Sequence, residues 1–372
     1  MPHDRIVSIQ TTSERGGAEY ANVDLLEALR QRGHEVLLVT NVPDIAAKTG
    51  VPVLPIDLGP KLSKRSVGQL LLRSPQNLLK LIGVLRRTRP GISFLHFKKE
   101  QLLFALLPKR LTGEVVWAEW GPVPPNLRSG LPRRLYAFAG RRARGVMAVS
   151  EGTRKTVVDA GVPAARVIVV PNLVDVDEVH FDAAARERLR AEWGAGEQTL
   201  VVGLISRFQR RKRNDVVIDA MEHLDGDVLL VVAGEGEEES ALRERAARYG
   251  DRVRFAPNVR GHVEAFLSAC DVLAFAPSPT EGAPRVIVMA QLVGVPVVAS
   301  DPEGAAGLIP PGGGVICSPS HDPRAVAAAL AVYRDDPERR RREGEVGRQA
   351  CRELHAMERT LSTVERLFGL RP

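Results

Sequence analysis

Short apolar runs, largely β-branched, recur along the chain and alternate with longer stretches whose apolar positions repeat at helical spacing. Arg5-Ile6-Val7-Ser8-Ile9 predicts a strand, and the polar, Gly-containing stretch from Thr11 to Gly17 predicts a loop. Val23, Leu25, Leu26 and Leu29 mark the buried side of a helix from about Ala18 to Arg32, followed by a second strand over Glu35–Thr40. Further strands fit Ile92–His96, Val115–Glu119, Val146–Ser150 and Val167–Val170, with helices over Gln76–Thr88 and Pro132–Arg144 between them. Strands separated by helices imply a parallel α/β sheet with right-handed crossovers.

The alternation pauses at Pro171-Asn172-Leu173-Val174-Asp175, and a charged stretch from Asp182 to Gln198 carries the chain onward. A second series then runs through Leu200–Ile205, Val228–Ala233, Val253–Phe255, Val272–Ala276, Pro296–Ala299 and Val315–Cys317. The Arg/Glu-rich tail from Pro337 to Phe368 reads as one or two amphipathic helices. Two Rossmann-like sheets are expected, each binding ligand at the carboxyl ends of its strands, so that facing domains place a site in the cleft between them.

A chain of 372 residues with 44% apolar content suits two soluble domains. Cys270, Cys317 and Cys351 are scattered, odd in number and without metal spacing, which fits a reducing compartment. Without a leader-like amino terminus or an apolar run long enough to span a bilayer, the expectation is a cytoplasmic protein, with peripheral membrane contact as an open addition. Charge is uneven: residues 1–180 carry 26 Lys+Arg against 16 Asp+Glu, whereas residues 181–372 carry 26 against 29. A basic first half could attract an anionic acceptor, a membrane surface or nucleic acid. The bias toward Arg (43 of the 52 cations) is equally what a GC-rich genome imposes. Nucleic acid is the least favoured partner, because no aromatic-interleaved platform accompanies the charge.

Three segments carry candidate chemistry. Gly16-Gly17-Ala18-Glu19 closes the first strand-to-helix loop, where glycines let backbone approach a ligand; alone, such a pair is usually just a tight turn. Gly203-Leu204-Ile205-Ser206-Arg207 through Lys212-Arg213 is a strand ending in a cationic loop. Arg207 and Lys212, five residues apart, could clamp a departing pyrophosphate, and Arg210, Arg211 and Arg213 read as solvated charge. Thr280-Glu281-Gly282-Ala283-Pro284-Arg285 opens a short helix that ends at Gly294-Val295-Pro296 before a buried strand. That arrangement puts one carboxylate and free N–H groups at a sheet edge.

Together these segments resemble the GT-B fold retaining glycosyltransferases of family 4, glycosyltransferase group 1. Their pattern is Gly-Arg-x4-Lys-Gly, then Glu-x7-Glu, then Gly-x-Pro-Val-Val-Ala-Ser. The resemblance is strongest over residues 200–300. It implies two facing Rossmann-like domains, residues 1–178 for the acceptor and 179–355 for the nucleotide sugar, with a tail helix (356–372) crossing back to the first. It implies Arg207, Lys212 and Glu281 as catalytic. Donor contacts would come from Gly16, Gly17, Gly203, Gly282, Ala283, Pro284, Arg285, Val286 and Met289, with Arg254 and Asn258 where the nucleobase sits. The chain departs from the pattern with Ser206 and Arg213 where glycines are usual, Leu173 in the hinge, and Met289 for the second Glu of the pair. Gly234-Glu235-Gly236 resembles the family's Gly-Asp-Gly turn and reads as architecture.

The family's usual acceptor-side His is replaced at or near its position by Trp120. Either His96 partly substitutes, or Glu119 and the Trp120 face hold the acceptor, with Glu19 from the first loop; a core Trp is the competing reading. The implied activity is retaining transfer of a sugar from a UDP, GDP or dTDP donor to a hydroxyl, with no metal and no separate cofactor. A small natural-product or aminocyclitol-like acceptor is the main expectation. A lipid-linked acceptor at a membrane, reached through an interfacial helix over residues 71–89, and a non-catalytic GT-B partner subunit are the alternatives.

Overall fold

The computed structural model describes residues 5–12, 16–58, 67–174, 176–257, 259, 261–278, 281–300, 306–319 and 321–370. The chain divides into two compact units, Met1–Leu173 with Glu358–Pro372, and Val174–Met357.

Unit 1 holds a wholly parallel seven-stranded sheet built from β1 (Ile6–Gln10), β2 (Val36–Thr40), β3 (Val53–Pro55), β4 (Ile92–Leu95), β5 (Glu114–Glu119), β6 (Gly145–Ala148) and β7 (Val167–Val169). Its order is β3-β2-β1-β4-β5-β6-β7. The short β3 is absent from the sequence reading: its residues are only partly buried, so no apolar run marks it. β4 stops one residue before His96. Ser150 lies beyond β6 and caps the helix Glu151–Asp159, its Oγ accepting from the Thr153 N–H at 3.2 Å.

The helix Val67–Thr88 begins well before Gln76. Leu81 and Leu85 are buried in the core and Leu78 and Ile82 pack against it. Part of its apolar side is therefore packed inside its own domain, while Leu79 stands out at 69% exposure; the side chains of residues 71–75 lie outside the described ones.

The tail helix Met357–Phe368 belongs to unit 1. Phe368 meets Phe94 edge-on with ring centroids 5.0 Å apart, and the Arg144 Nε–H donates to the Leu367 carbonyl at 3.1 Å. A Cβ on Gly145 would fall 2.3 Å from Leu367 Cδ1, so a side chain at the start of β6 would have to displace the Leu367 side chain.

Unit 2 holds β8 (Leu200–Ile205), β9 (Val228–Ala233), β10 (Val253–Ala256), β11 (Val272–Phe275), β12 (Val297–Ser300) and β13 (Gly314–Cys317). They form a parallel sheet in the order β10-β9-β8-β11-β12-β13, with an apolar core on each face. Strand order reverses between β1 and β4 in unit 1 and between β8 and β11 in unit 2, the point where such sheets open a crevice at the carboxyl ends of their strands.

Candidate active site

The unit 2 crevice is built by two loops that are stitched together. The loop after β8 turns at Arg210–Lys212, and the Arg211 carbonyl accepts from both the N–H and the Oγ–H of Ser278, in the loop after β11, each at 2.9 Å. From one side Lys212 and Arg211 reach in; from the other comes Glu281. Lys212 Nζ donates to Glu281 Oε2 at 2.8 Å, and Arg211 Nη1 is paired with Oε1. Lys212 also stands over the Phe275 ring, its nitrogen 5.2 Å from the centroid.

The Lys212 and Glu281 side chains are only 11% and 9% exposed. Burial pushes the Lys212 pKa below the ordinary lysine value; Glu281 opposes this, while Arg211 and Arg207 add to it. Arg207 has no hydrogen-bonding partner for its guanidinium among the described residues. Two cations paired with one carboxylate, and Arg207 within electrostatic reach of Lys212, leave two unbalanced positive charges, which suits an incoming diphosphate.

The loop is held from below by Gly234-Glu235-Gly236. The Phe208 N–H donates to the Glu235 carbonyl at 2.8 Å, and the Glu238 N–H to that of Phe208 at 3.0 Å. Gly234 has φ +149°, and a Cβ there would lie 1.9 Å from the Ser206 carbonyl oxygen. Arg213 adopts the left-handed conformation, φ +49°, the conformation for which a glycine is the unstrained choice. Its guanidinium is tied to Asp215, with Nε 3.2 Å from Oδ1. Of the three arginines read as solvated charge, Arg211 and Arg213 are thus paired, and Arg211 is part of the site itself. Sequence spacing carried no signal for that pair, which depends on a residue seventy positions away.

Gly282, Ala283 and Pro284 lead into the helix Arg285–Val293, whose first turn carries no acidic residue. Val286 and Met289 lie one turn apart, half-buried against the core, and Arg285 is half-exposed beside them. Two expected donor residues stand elsewhere. Gly203 is buried inside β8, where a Cβ would come within 2.6 Å of Cys270 Sγ, so its role is helix packing. Arg254 extends toward Asp251, with Nη2 3.6 Å from Oδ1, at the amino end of β10 and away from the crevice. Asn258 lies outside the described residues.

In unit 1 the first loop and β4 meet at the corresponding crevice. Gly16 caps the helix Gly17–Gln31, and its N–H donates to the Glu19 carboxylate at 3.1 Å. Glu19 is therefore a buried helix-capping carboxylate. A Cβ on Gly17 would meet nothing within 4 Å, so that position is open to approach.

His96 is buried too, and burial pushes its pKa down to about 3. The Trp120 indole N–H donates to Nδ1 at 3.0 Å, which places the imidazole proton on Nε2, 2.8 Å from Ser8 Oγ. Asn22 continues the chain, its amide 3.1 Å from Ser8 Oγ and donating to Gln10 Oε1 at 2.6 Å. Trp120 stacks on His96, centroids 5.9 Å apart, and stays half-exposed.

Glu119 is fully engaged. It accepts from Tyr136 Oη–H at 2.9 Å and Gln101 Nε2–H at 3.0 Å, and pairs with Lys98. His96 and Glu119 are thus internal struts, and of the expected acceptor group only Trp120 has exposed surface.

Among the described residues no three His, Cys, Asp or Glu side chains cluster in a way that could hold a metal ion. No described helix is long and apolar enough to cross a membrane.

Comparison with known proteins places both units. Residues 15–178 match the family described as Glycosyltransferase Family 4, and residues 185–350 match Glycosyl transferases group 1. A D-inositol 3-phosphate glycosyltransferase of Xylanimonas cellulosilytica is 34% identical over 198 residues, covering 50% of this chain and 47% of that one. A GDP-mannose-dependent alpha-(1-6)-phosphatidylinositol monomannoside mannosyltransferase of Mycolicibacterium smegmatis is 31% identical over 247 residues, covering 63% and 62%. The chain is thus matched over about half the length of the first of these relatives. The crystal structure of Anabaena HepE in complex with UDP superposes with a TM-score of 0.84 at 20% identity, covering 98% of this chain and 99% of that one. The fold is GT-B, two parallel-sheet Rossmann-like domains. By these matches unit 1 is similar to Glycosyltransferase Family 4 and unit 2 to the glycosyl transferases group 1.

Proposed function

We propose that the protein is a glycosyltransferase that moves a sugar from a nucleoside diphosphate donor to a hydroxyl of a small polyol, retaining the anomeric configuration and using no bound metal. The observation that carries this reading is the buried Lys212–Glu281–Arg211 cluster, with unpaired Arg207 beside it, at the unit 2 crevice. In the reaction the bond between the anomeric carbon and the diphosphate oxygen breaks, and the acceptor oxygen bonds the same face. The acceptor proton passes to the departing phosphate. Negative charge grows on that phosphate, and Arg207 and Lys212 are placed to balance it. Glu281, released from its cations when the diphosphate arrives, is free to accept from sugar hydroxyls.

A polyol acceptor fits the inositol-bearing compounds that the names of two relatives carry. A lipid-linked acceptor has one observation in its favour. The helix Gly130–Arg142 exposes Leu131, Leu135 and Phe138 (66%, 51% and 50%) on one stripe with Arg134 and Arg142. Salt-sensitive flotation with anionic liposomes, lost on Leu135→Ser/Phe138→Ser, would support it.

The test is product analysis by proton NMR, pairing UDP-, GDP-, ADP- and dTDP-sugars with cyclitol acceptors. Retention is expected; an inverted product would reject the mechanism. Chelator should leave the rate unchanged. Arg207→Ala and Lys212→Ala should each cost at least about a hundredfold in rate, and near-normal turnover in both would sink the clamp.

A further inference from the structure

His96 follows β4 and Trp120 follows β5, so both stand at the carboxyl ends of neighbouring strands, where the unit 1 sheet opens its crevice. A tryptophan at a protein surface ordinarily buries its apolar ring and leaves the N–H wet. Trp120 reverses this. Its N–H edge is turned to the buried His96, donating to Nδ1 at 3.0 Å, and its exposure is left to the carbon framework. A tryptophan that served only to fill the core would not be arranged this way.

His96 has no freedom of its own. Its Nε2–H faces Ser8 Oγ at 2.8 Å, and the Phe94 ring meets it edge-on, centroids 4.4 Å apart. Ser8 is bonded in turn to the Asn22 side chain on the first helix, and Ser8, Asn22 and Phe94 are all completely buried. A rigid ring that accepts at one edge and donates at the other is what a neutral imidazole supplies. Burial keeps His96 in that form. The planes of the two rings are 16° apart. One hydrogen bond from an immobile imidazole therefore sets the plane of the indole.

An aromatic face with its polar edge already spent selects a ligand that brings an apolar face of its own. A ring polyol does so: its C–H bonds gather on a flat face that suits the electron-rich indole, while its hydroxyls project from the rim. An open-chain polyol lies flat only by freezing several rotatable bonds, which costs affinity. Resting on the glycosyltransferase reading for the role of this crevice, we propose that Trp120 is the acceptor platform and selects ring polyols over open-chain ones, with His96 the positioning residue that fixes its plane.

The test is binding to the full chain, alone and with each of UDP, GDP, ADP and dTDP. Myo-inositol is compared with mannitol, which carries the same number of hydroxyls on an open chain. With labelled tryptophan the 3 indole N–H resonances are followed by NMR, and Trp120→Phe identifies the relevant one. Myo-inositol should move the Trp120 resonance saturably and leave those of Trp117 and Trp193 in place. Mannitol should bind at least about fivefold more weakly. Saturation-transfer difference, read from the ligand, extends the comparison to variants without the indole. Trp120→Ala should weaken myo-inositol at least about fivefold and bring the two polyols within about twofold of each other. His96→Gln keeps an acceptor for the indole and a donor for Ser8, and should stay near wild type. His96→Leu offers neither, and should weaken myo-inositol about two- to tenfold while leaving nucleoside diphosphate affinity unchanged. The platform is overturned if myo-inositol shows no saturable binding up to about 50 mM, or if mannitol binds as tightly. A ring preference that survives Trp120→Ala overturns it too. If His96→Leu matches His96→Gln, or weakens the diphosphate equally, the positioning role falls. The glycosyltransferase reading is decided apart from this, by nucleoside diphosphate binding in unit 2.

Discussion

Replacing Glu281 by Gln separates its electrostatic role from its shape. In the native cluster Lys212 is nearly buried beside Arg211 and Arg207, and Glu281 is the group that opposes the fall in its pKa. Remove that carboxylate, and burial and both arginines act unopposed, so the pKa of Lys212 drops further. Buried cations left without their carboxylate are costly when they cannot discharge, about 3–5 kcal/mol for a fully buried pair. Lys212 escapes most of that cost by shedding its proton, and Arg211 by its 40% exposure. The folded state should therefore survive while nucleotide binding becomes pH-dependent. A neutral Lys212 forfeits a charge-assisted contact to the diphosphate, about 1.5–3 kcal/mol or roughly ten- to 150-fold in affinity. The sign is fixed: loss grows as pH rises, because deprotonation removes the charge. Calorimetric titration with a nucleoside diphosphate between about pH 7 and pH 9 reads it out. Wild type should be nearly flat and Glu281→Gln should weaken steadily. A Glu281→Gln profile as flat as wild type would refute the idea that Glu281 keeps Lys212 charged.

Gly234→Ala should be among the most damaging conservative changes in unit 2, because its methyl group meets the Ser206 carbonyl at 1.9 Å. A loss above about 3 kcal/mol in denaturant unfolding is expected, against about 1 kcal/mol for an unhindered Gly→Ala at positive φ. His96 folds neutral with its pKa at about 3 against 6.5 for the free group, so its stabilising contribution is complete above about pH 6.5 and drains as pH falls toward 3. The slope approaches ~1.4 kcal/mol per pH unit, and His96→Gln should flatten it in urea midpoints taken across that window. Met289→Glu should tighten ribose diphosphates about ten- to 150-fold relative to dTDP if the position faces the ribose, and unchanged affinities would remove it from the donor site.

The double Rossmann architecture was legible because buried parallel strands are continuous apolar runs; β3, lying on an edge and partly exposed, gave no such run. Lys212 and Glu281 were legible as a resemblance, and the structure brings them to 2.8 Å. What pattern could not show was which polar residues are spent internally. Glu119 at a strand end looks identical in sequence whether it faces a ligand or accepts from Tyr136 and Gln101. The same holds for His96 and Glu19: their partners Ser8, Trp120 and the Gly16 N–H are set by crossovers and caps rather than by spacing. Arg211 was missed in the other direction, since only the docking of the loop after β11 gives it a carboxylate.

The most direct test of the account is a thermal-unfolding screen of UDP, GDP, ADP and dTDP against wild type and Arg207→Ala/Lys212→Ala. At about a hundred times its dissociation constant a ligand adds ~2.7 kcal/mol to stability. At least one diphosphate should raise the wild-type midpoint accordingly and leave the double variant where it was. If none does, or if the double variant responds as strongly as wild type, the unit 2 crevice is not a nucleotide-sugar site.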